Sequence, residues 1–321
     1  MHAIKITLFV SGLLTATVAQ AETVFVTLEK DNALAVVDPI EGKLINTVNV
    51  GQRPRGIAVS QDGKQIYVAT SDDDTIKILD TESLKEVGKL PSGEDPETFA
   101  VSPDGKRMYV SNEDDNEVTV IDIAAKKALQ KIKVGVEPEG IAVSPDNHWV
   151  ISASETTNML HWIDVKTGKI VENTLADPRP RAAAFTGDSQ QLWATAEMAG
   201  TVMVLDSASK QIVQTIKLDV QGVTPEQIQP VGVLIDKERR YAYVAMGPAN
   251  RVAVINAQTY QVERYLLVGQ RVWNLAFSPD QSRLYTTNGV SNDISIIDLK
   301  EQKVIKSLGV GRYPWGVAVK P

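Results

Sequence analysis

A repeat of 42 residues runs through most of this chain and limits the folds open to it. Proline marks six of the seven units, at Pro54, Pro96, Pro138, Pro180, Pro230 and Pro314. Val272 takes the place of proline in the sixth unit. A second series keeps the same spacing and takes its one longer step, of 50 positions, in the same place: Asp38, Asp80, Asp122, Asp164, Asp206, Asn256 and Asp298. Because two independent markers agree over seven units, the chain is a tandem repeat rather than a series of unrelated domains.

Each unit reads as four short β-strands. In the first complete unit these are residues 56–60, 65–70, 75–80 and 86–90, with apolar residues at every second position and many β-branched side chains. The first two strands are joined by turn sequences such as Ser-Pro-Asp-Gly at 102–105, where proline presets φ and glycine accepts a positive φ. Four antiparallel strands in about 42 residues are typical of a β-propeller blade.

Counting strands gives seven blades. The chain starts with a second-strand equivalent at 24–28 and ends with a lone first strand at 316–320. If the last strand pairs with the first three, the ring closes and no sheet edge is left open there. We therefore predict one all-β domain over residues 22–321, a seven-bladed β-propeller of four-stranded antiparallel blades closed by the C-terminal strand.

Residues 1–21 read as a secretory signal peptide. Lys5 precedes an apolar run from Ile6 to Val18, and Ala19-Gln20-Ala21 supplies the small residues of a cleavage site. The run is short for a membrane span, so we expect cleavage before Glu22, no membrane span afterwards, and a periplasmic location.

Composition and motifs exclude several functions. With 40 acidic against 33 basic residues the chain is not expected to bind nucleic acid, and without cysteine it has no thiol nucleophile or zinc-thiolate site. After cleavage only His148 and His161 remain, both in repeat positions far from the face described next, and no nucleotide-binding or nucleophile-elbow motif occurs. We assign no catalytic residue and no metal ligand, and expect a binding protein rather than an enzyme.

The face where the first strands begin, called the top face, is where the units differ. The residue after each marker proline is expected at the mouth of the central channel, and these positions hold Arg55, Glu97, Glu139, Arg181, Val231, Trp273 and Trp315. With their neighbours they predict a basic and aromatic sector facing an acidic one. The candidate binding residues are Arg53, Arg55, Glu97, Glu139, Arg179, Arg181, Arg271, Trp273, Arg312 and Trp315. Indoles stack on planar ligands and guanidinium groups bind carboxylates, so this sector suits a small planar anion or a partner protein; the alternative is a polar rim of internal Arg–Glu pairs.

Two further features belong to this face. The second strands end on Glu29, Ser71, Glu113, Glu155, Glu197, Gly247 and Gly289, whose carboxylates could hold Ca²⁺ but are expected to form a solvated acidic rim. Residues 219–230 form the one loop that breaks the repeat, and long exceptions in a regular scaffold are often functional. The strand-ending aspartates lie at the opposite end, where we expect them to cap turns.

The pattern G-x-x-P-x-G-I-A-V-S-P-D at 135–146, with Y-V-S-N at 109–112, resembles the YVTN family of β-propeller repeat proteins over residues 22–321. The seven units and PEQIQPVGV at 225–233 resemble, within it, the propellers associated with pyrroloquinoline quinone (PQQ)-dependent catabolism. That resemblance implies a periplasmic accessory near quinoprotein alcohol oxidation, with a protein partner such as a quinoprotein dehydrogenase system. The alternatives are a carboxylate-based, lactonase-like hydrolase and a carrier of a haem-type or quinone cofactor, although no suitably placed histidine is available for an axial bond.

Overall fold

The computed structural model describes residues 22–320, and the sequence-predicted signal peptide at 1–21 lies outside this range. Within it, 28 strands form seven four-stranded antiparallel sheets, which confirms the predicted seven-bladed β-propeller. None of the helical segments described there is long and apolar enough to cross a membrane.

The strands follow the repeat in order. The chain begins with β1 (Thr23–Leu28), β2 (Ala33–Asp38) and β3 (Lys43–Asn49). Blade 1 contains β4 (Pro54–Val59), β5 (Gln65–Thr70), β6 (Thr75–Asp80) and β7 (Glu86–Pro91). Blade 2 contains β8 (Pro96–Val101), β9 (Arg107–Asn112), β10 (Glu117–Asp122) and β11 (Lys127–Lys133). Blade 3 contains β12 (Pro138–Val143), β13 (Trp149–Ser154), β14 (Met159–Asp164) and β15 (Lys169–Leu175).

The second half continues in the same way. Blade 4 contains β16 (Pro180–Phe185), β17 (Gln191–Ala196), β18 (Thr201–Asp206) and β19 (Ile212–Lys217). Blade 5 contains β20 (Val233–Ile235), β21 (Tyr241–Ala245), β22 (Arg251–Asn256) and β23 (Val262–Leu267). Blade 6 contains β24 (Val272–Phe277), β25 (Arg283–Asn288), β26 (Asp293–Asp298) and β27 (Lys303–Gly309), and the last strand is β28 (Pro314–Lys320). Two short 3₁₀ turns lie at Ser71–Asp73 and Pro225–Gln227.

The first strand of each blade is innermost, since these strands contact one another around the central channel. The second and third strands are almost fully buried between blades, whereas the fourth strand is mostly exposed at the perimeter. The hydrophobic core is divided into clusters that lie between neighbouring blades. This division arises because apolar side chains extend from both faces of each sheet.

Blade 7 confirms the predicted ring closure. Strand β28 pairs antiparallel with β1, placing Phe25 opposite Ala318 and Val26 opposite Val317, and the sheet continues to β2 and β3. The backbone N–H of Gly316 also donates to the Thr27 hydroxyl at 2.8 Å. The last strand thus covers the edge of β1, a strand whose apolar side chains are buried in the closed ring.

The six strand-ending aspartates and Asn256 cap turns on the bottom face, as predicted. The side-chain oxygen of each of the seven accepts a hydrogen bond from the backbone N–H three residues later, at 2.7–3.0 Å. A short side chain that accepts this bond satisfies an otherwise unpaired donor of the turn. The series is structural and none of its members faces the channel mouth.

Candidate functional site

The channel mouth on the top face consists of two layers. The lower tier is the second residue of each innermost strand or its equivalent: Arg55, Glu97, Glu139, Arg181, Val231, Trp273 and Trp315. The upper tier lies two residues earlier in each blade: Arg53, Asp95, Glu137, Arg179, Gln229, Arg271 and Tyr313. The lower tier occupies the place predicted for it, but its side chains are mostly inaccessible from outside: Glu97 is 0% and Trp315 3% exposed.

Arg181 lies at the centre of one buried ion-pair network. Its guanidinium is 2.7 Å from Glu139 and 2.8 Å from Glu155, and it also contacts Glu197 at 3.3 Å. Arg179, above it, contacts Glu155 at 2.8 Å and Glu197 at 3.0 Å. Blades 3 and 4 are thereby joined at the channel mouth by ion pairs, and the Arg181–Glu139 pair is a charge-assisted hydrogen bond.

A second network joins blades 1 and 2. Arg53 contacts Asp95 at 2.7 Å and Glu97 at 3.0 Å, and Arg55 forms a further ion pair with Glu97 from below. Arg55 also approaches Glu29 of blade 7 at 3.6 Å. Glu97 is fully buried, so these arginines supply the counter-charge that a buried carboxylate requires.

These contacts correct the expectation of a basic sector facing a separate acidic one. Arginines and carboxylates of neighbouring blades pair directly, because each reaches across the boundary between blades rather than into solvent. The charged residues of the lower tier are therefore part of an internal network. This arrangement corresponds to the alternative interpretation, a polar rim of internal Arg–Glu pairs.

The two tryptophans do not present open faces for stacking. The Arg271 guanidinium lies 4.4 Å from the Trp273 ring centroid, and that of Arg55 lies 5.2 Å from the Trp315 ring centroid. Both indoles also pack together with Val231. Cation–π contacts within the protein thus already occupy a face of each ring that was predicted to stack on a planar anion.

The remaining candidate residues differ in role. Arg271 contacts Glu197 at 3.5 Å and donates to the side chain of Gln229 at 3.2 Å, which ties the inserted loop to blade 4. Arg312 pairs with Asp31 at 2.6 Å, is largely exposed, and makes no ion pair with either tier among the described residues.

The glycines that end two of the second strands also have a structural reason. A Cβ at Gly289 would lie 2.4 Å from Trp273 Nε1, and one at Gly247 would lie 2.6 Å from the carbonyl oxygen of Gln229. Glutamate at either position would therefore collide with the indole or with the inserted loop. The interrupted acidic ring reflects this packing.

Three carboxylates come close enough to be considered as a cation site. Oxygens of Asp95, Glu97 and Glu113 lie within 4.8 Å of one another. Two of the three already pair with Arg53, and Glu97 pairs with Arg55 as well. We derive no metal function from this group, because arginine guanidinium groups already pair with two of the carboxylates that a metal cation would bind.

Burial changes the proton affinity of the carboxyl pair formed by Glu139 and Glu155. Burial, and next the neighbouring Glu139 carboxylate, raises the pKa of Glu155 to about 10. Although burial acts to raise it as well, Arg181 and its neighbours hold the pKa of Glu139 below its usual value. Burial also raises the pKa of Glu97 well above the usual range, although the neighbouring Arg55 and Arg53 act to lower it. The buried pair thus retains one shared proton at neutral pH.

Glu155→Gln is expected to flatten the pH dependence of stability between pH 6 and 9. Folded Glu155 holds a proton that the unfolded chain releases above about pH 4.5, so this group lowers the free energy of unfolding as pH rises towards 10, by at most about 1.4 kcal/mol per pH unit. Glutamine mimics the protonated form and removes that slope. Urea unfolding at several pH values measures it, with exposed Glu82→Gln as the control. An unchanged slope in Glu155→Gln would contradict the shared proton.

The upper tier is held by a feature that the sequence analysis missed. Six of its residues adopt left-handed backbone conformations, with φ between 47° and 61°: Arg53, Asp95, Glu137, Arg179, Arg271 and Tyr313. The N–H of each donates to a side-chain oxygen 21 positions earlier, at 2.8–3.0 Å. The acceptors recur with the repeat, which is the signal that could have revealed them: Asn32, Asp74, Asn116, Asn158, Asn250 and Asn292.

The inserted loop, residues 219–230, follows the one blade in which the series of acceptor side chains is interrupted. Gly200 stands in the place of the asparagine in blade 4, and a Cβ there would lie 3.3 Å from the carbonyl oxygen of Ile228. Ile228 and Val220 are buried against blades 4 and 5, so the loop packs onto the top face as predicted. The loop therefore replaces the side-chain support used in the other blades.

Exposed apolar side chains mark the outer part of the top face. Met198, Leu175 and Leu267 are 68%, 65% and 65% exposed, the highest values among the large apolar residues that the structure describes. They lie in a loop of blade 4 and at the top ends of β15 and β23. Val136 and Val290, also exposed, lie in loops of the same face. These residues all belong to blades 3–6 or their connections.

Neither described histidine reaches the channel. His161 is enclosed within blade 3, where Nε2 accepts from the Gly135 N–H at 2.8 Å and Nδ1 lies 2.6 Å from Asn173 Oδ1. His148 lies by the bottom turn, 3.8 Å from Asp164. Both therefore stay where their repeat positions predicted.

Residues 70–272, more than half of the chain, match the family model described as the cytochrome D1 heme domain. No curated protein matches the chain. Among solved structures, hydrazine synthase of Kuenenia stuttgartiensis is 21% identical, with a TM-score of 0.79 over 86% of this chain and 92% of that one. A functionally unknown protein of Desulfotomaculum acetoxidans DSM 771 is 14% identical, with a TM-score of 0.79 over 92% and 98%. At these identities the likeness to solved structures concerns the fold.

Proposed function

Because this chain belongs to the cytochrome D1 heme domain family, we propose a function in binding at the top face of the propeller, and that the bound molecule is a partner protein rather than haem. The family name raises the question of haem, and the lining of the channel cavity supports a different ligand. The exposed apolar residues of the top face support a protein partner.

The cavity below the lower tier does not suit a haem. Haem iron takes a histidine, cysteine, methionine or tyrosine as its protein ligand, and the described cavity below the lower tier is lined by none of these. That cavity has a volume of about 160 Å³, against roughly 300–1,000 Å³ for typical ligand and cofactor sites. The lower tier also closes the top of the channel. We derive no step through haem.

The observation that carries the proposal is the position of Met198, Leu175 and Leu267. These large apolar side chains are about two thirds exposed to water, and their burial on association contributes up to roughly 1.5–3 kcal/mol each. Methionine and aromatic residues are enriched in protein interfaces. Tyr313 and the paired charges of the upper tier would then form the polar part of the same interface.

The location and pathway belong to the same proposal. The signal-like sequence at 1–21 supports export to the periplasm, and the repeat resemblance supports an accessory role beside PQQ-dependent alcohol oxidation. In this setting the partner would be a component of a quinoprotein dehydrogenase system. The carboxylate-based hydrolase receives less support, because most of the mouth carboxylates pair with arginines.

Affinity capture from periplasmic extract, followed by mass spectrometry, tests this function. We expect the wild-type protein to retain a specific partner and the double variant Leu175→Asp with Met198→Asp to lose it, because each aspartate places a charge in an apolar contact. Val213→Asp is the matched control, since Val213 is equally apolar, 52% exposed, and lies on the outer strand of blade 4. A partner that the double variant retains at the wild-type level would contradict top-face binding.

A further inference from the structure

The central channel contains a second, separate binding region below the lower tier. Its cavity of about 160 Å³ has Glu139, Arg181 and Trp315 at the upper end, and Ile141, Ala183 and Leu275 among the apolar residues of its walls. It is therefore polar at one end and apolar along its length. Such a volume accommodates several water molecules or one small organic molecule.

Two buried donors at this cavity lack hydrogen-bond acceptors. Arg181 Nε and Trp315 Nε1 have no partner, although the two residues are only 6% and 3% exposed. A buried N–H without an acceptor is destabilising, and such groups are rare in folded proteins. Both residues line the cavity, so a molecule bound there could supply the acceptor.

The other polar groups of the cavity are already satisfied. The Thr98 hydroxyl donates to the backbone carbonyl of Glu139, and the Asn274 amide donates to that of Trp315 at 3.0 Å. The remaining N–H groups of Arg181 face Glu139 and Glu155. The occupant thus needs to accept hydrogen bonds and needs few donors of its own.

The charges of Glu139 and Arg181 limit the class of molecule that the cavity can bind. Glu139 lines the cavity and is buried, and the pKa of this carboxyl lies below its usual value, so it is ionised and would repel a second carboxylate at close range. A cation would meet the Arg181 guanidinium. An uncharged carbonyl oxygen accepts hydrogen bonds and donates none, as unpartnered donors require, and the hydrocarbon part of such a molecule would lie against the apolar walls.

We propose that this cavity binds a small uncharged carbonyl compound of the aldehyde, ketone or lactone class, whose oxygen accepts from Arg181 Nε and Trp315 Nε1. Such a molecule enters from the bottom face. The lower halves of several innermost strands are only half-buried, as at Ala183 and Ile57, whereas the lower tier closes the top. This site is independent of partner binding at the top face.

Titration of ¹⁵N-labelled protein with 2-butanone tests the site through the indole N–H resonances. The chain has five tryptophans, and Trp315→Phe identifies the Trp315 signal by its loss. We expect that signal to shift saturably, with a dissociation constant on the order of 1 mM, while the Trp149 signal on the bottom face stays in place. Butyrate, the charged analogue of similar size, should not produce the shift.

Ligand-observed NMR of the Trp315→Phe variant completes the test. Phenylalanine keeps a ring in the lower tier but removes the N–H, so we expect about fivefold weaker binding of 2-butanone, whereas Trp149→Phe should bind as the wild type. A thermal melt of each variant confirms folding. A Trp315 signal unmoved by 2-butanone, or moved equally by butyrate, would overturn the proposal and assign the cavity to water. Partner capture at the top face would be unaffected by that result.

Discussion

Deletion of residues 314–321 is expected to abolish the cooperative unfolding transition of this protein. The deletion removes β28, whose Trp315, Val317 and Ala318 are each no more than 8% exposed, and it uncovers β1, whose apolar residues are fully buried. At roughly 1.5–3 kcal/mol for each large apolar side chain, the loss is on the order of 10 kcal/mol, comparable to the whole stability of a typical domain.

Circular dichroism during urea unfolding measures the effect. A circular permutant is the matched control: a short turn joins Lys320 to Thr23, which already lie opposite each other, and new termini open at Gly222, where a side chain would meet nothing within 4 Å. The permutant has its ends between blades and should unfold cooperatively. A truncated protein as stable as the permutant would contradict closure of the ring by β28.

Arg181→Met is expected to lower the free energy of unfolding by about 3–5 kcal/mol. The methionine fills much of the same space but leaves the buried Glu139 without its ion-pair partner and removes one of the three arginines that contact Glu197. Arg312→Met is the control, because Arg312 is 69% exposed and its ion pair with Asp31 should contribute no more than about 1 kcal/mol.

A second substitution separates the charge effect from packing. Adding Glu139→Gln to Arg181→Met removes one uncompensated buried charge and should recover part of the lost stability, as measured by urea unfolding. Equal losses in Arg181→Met and Arg312→Met would show that the buried network contributes no more than a surface pair. A double variant less stable than Arg181→Met would assign the loss to packing instead.

The fold could be predicted in detail because the repeat carries it. The repeated proline near the start of the innermost strands and the aspartate that ends six of the seven third strands fix the strand count. The lone final strand at 316–320 then requires ring closure. Turn capping was also predictable, because a short acid before a turn has one favourable use that recurs in every unit.

The position of the candidate site in the fold could be predicted from the sequence, but the contacts of its side chains could not. Repeat positions located Arg55, Glu97 and Trp315 at the channel mouth, yet spacing alone does not show whether a side chain faces solvent or its neighbour. Arg–Glu pairing between blades depends on the distance between side chains of adjacent units, which the sequence does not contain. The cover that Arg55 provides over Trp315 depends on the same geometry.

Two other features had weak sequence signals. The asparagine series that supports the upper tier has the same period as the prolines, and Gly200 interrupts it where the loop inserts. The exposed apolar residues of the top face follow no period, because Met198 and Leu267 occupy different loops and strand ends. Only the structure brings them onto one face.

The dissociation constant of the captured partner, measured for single variants, tests the central claim most directly. We predict that Met198→Asp weakens binding at least about tenfold, equivalent to about 1.4 kcal/mol, while Val213→Asp, on the outer strand of the same blade, binds like the wild type. Equal affinities for all three proteins would contradict binding through the top face, and so would an equal loss in both variants.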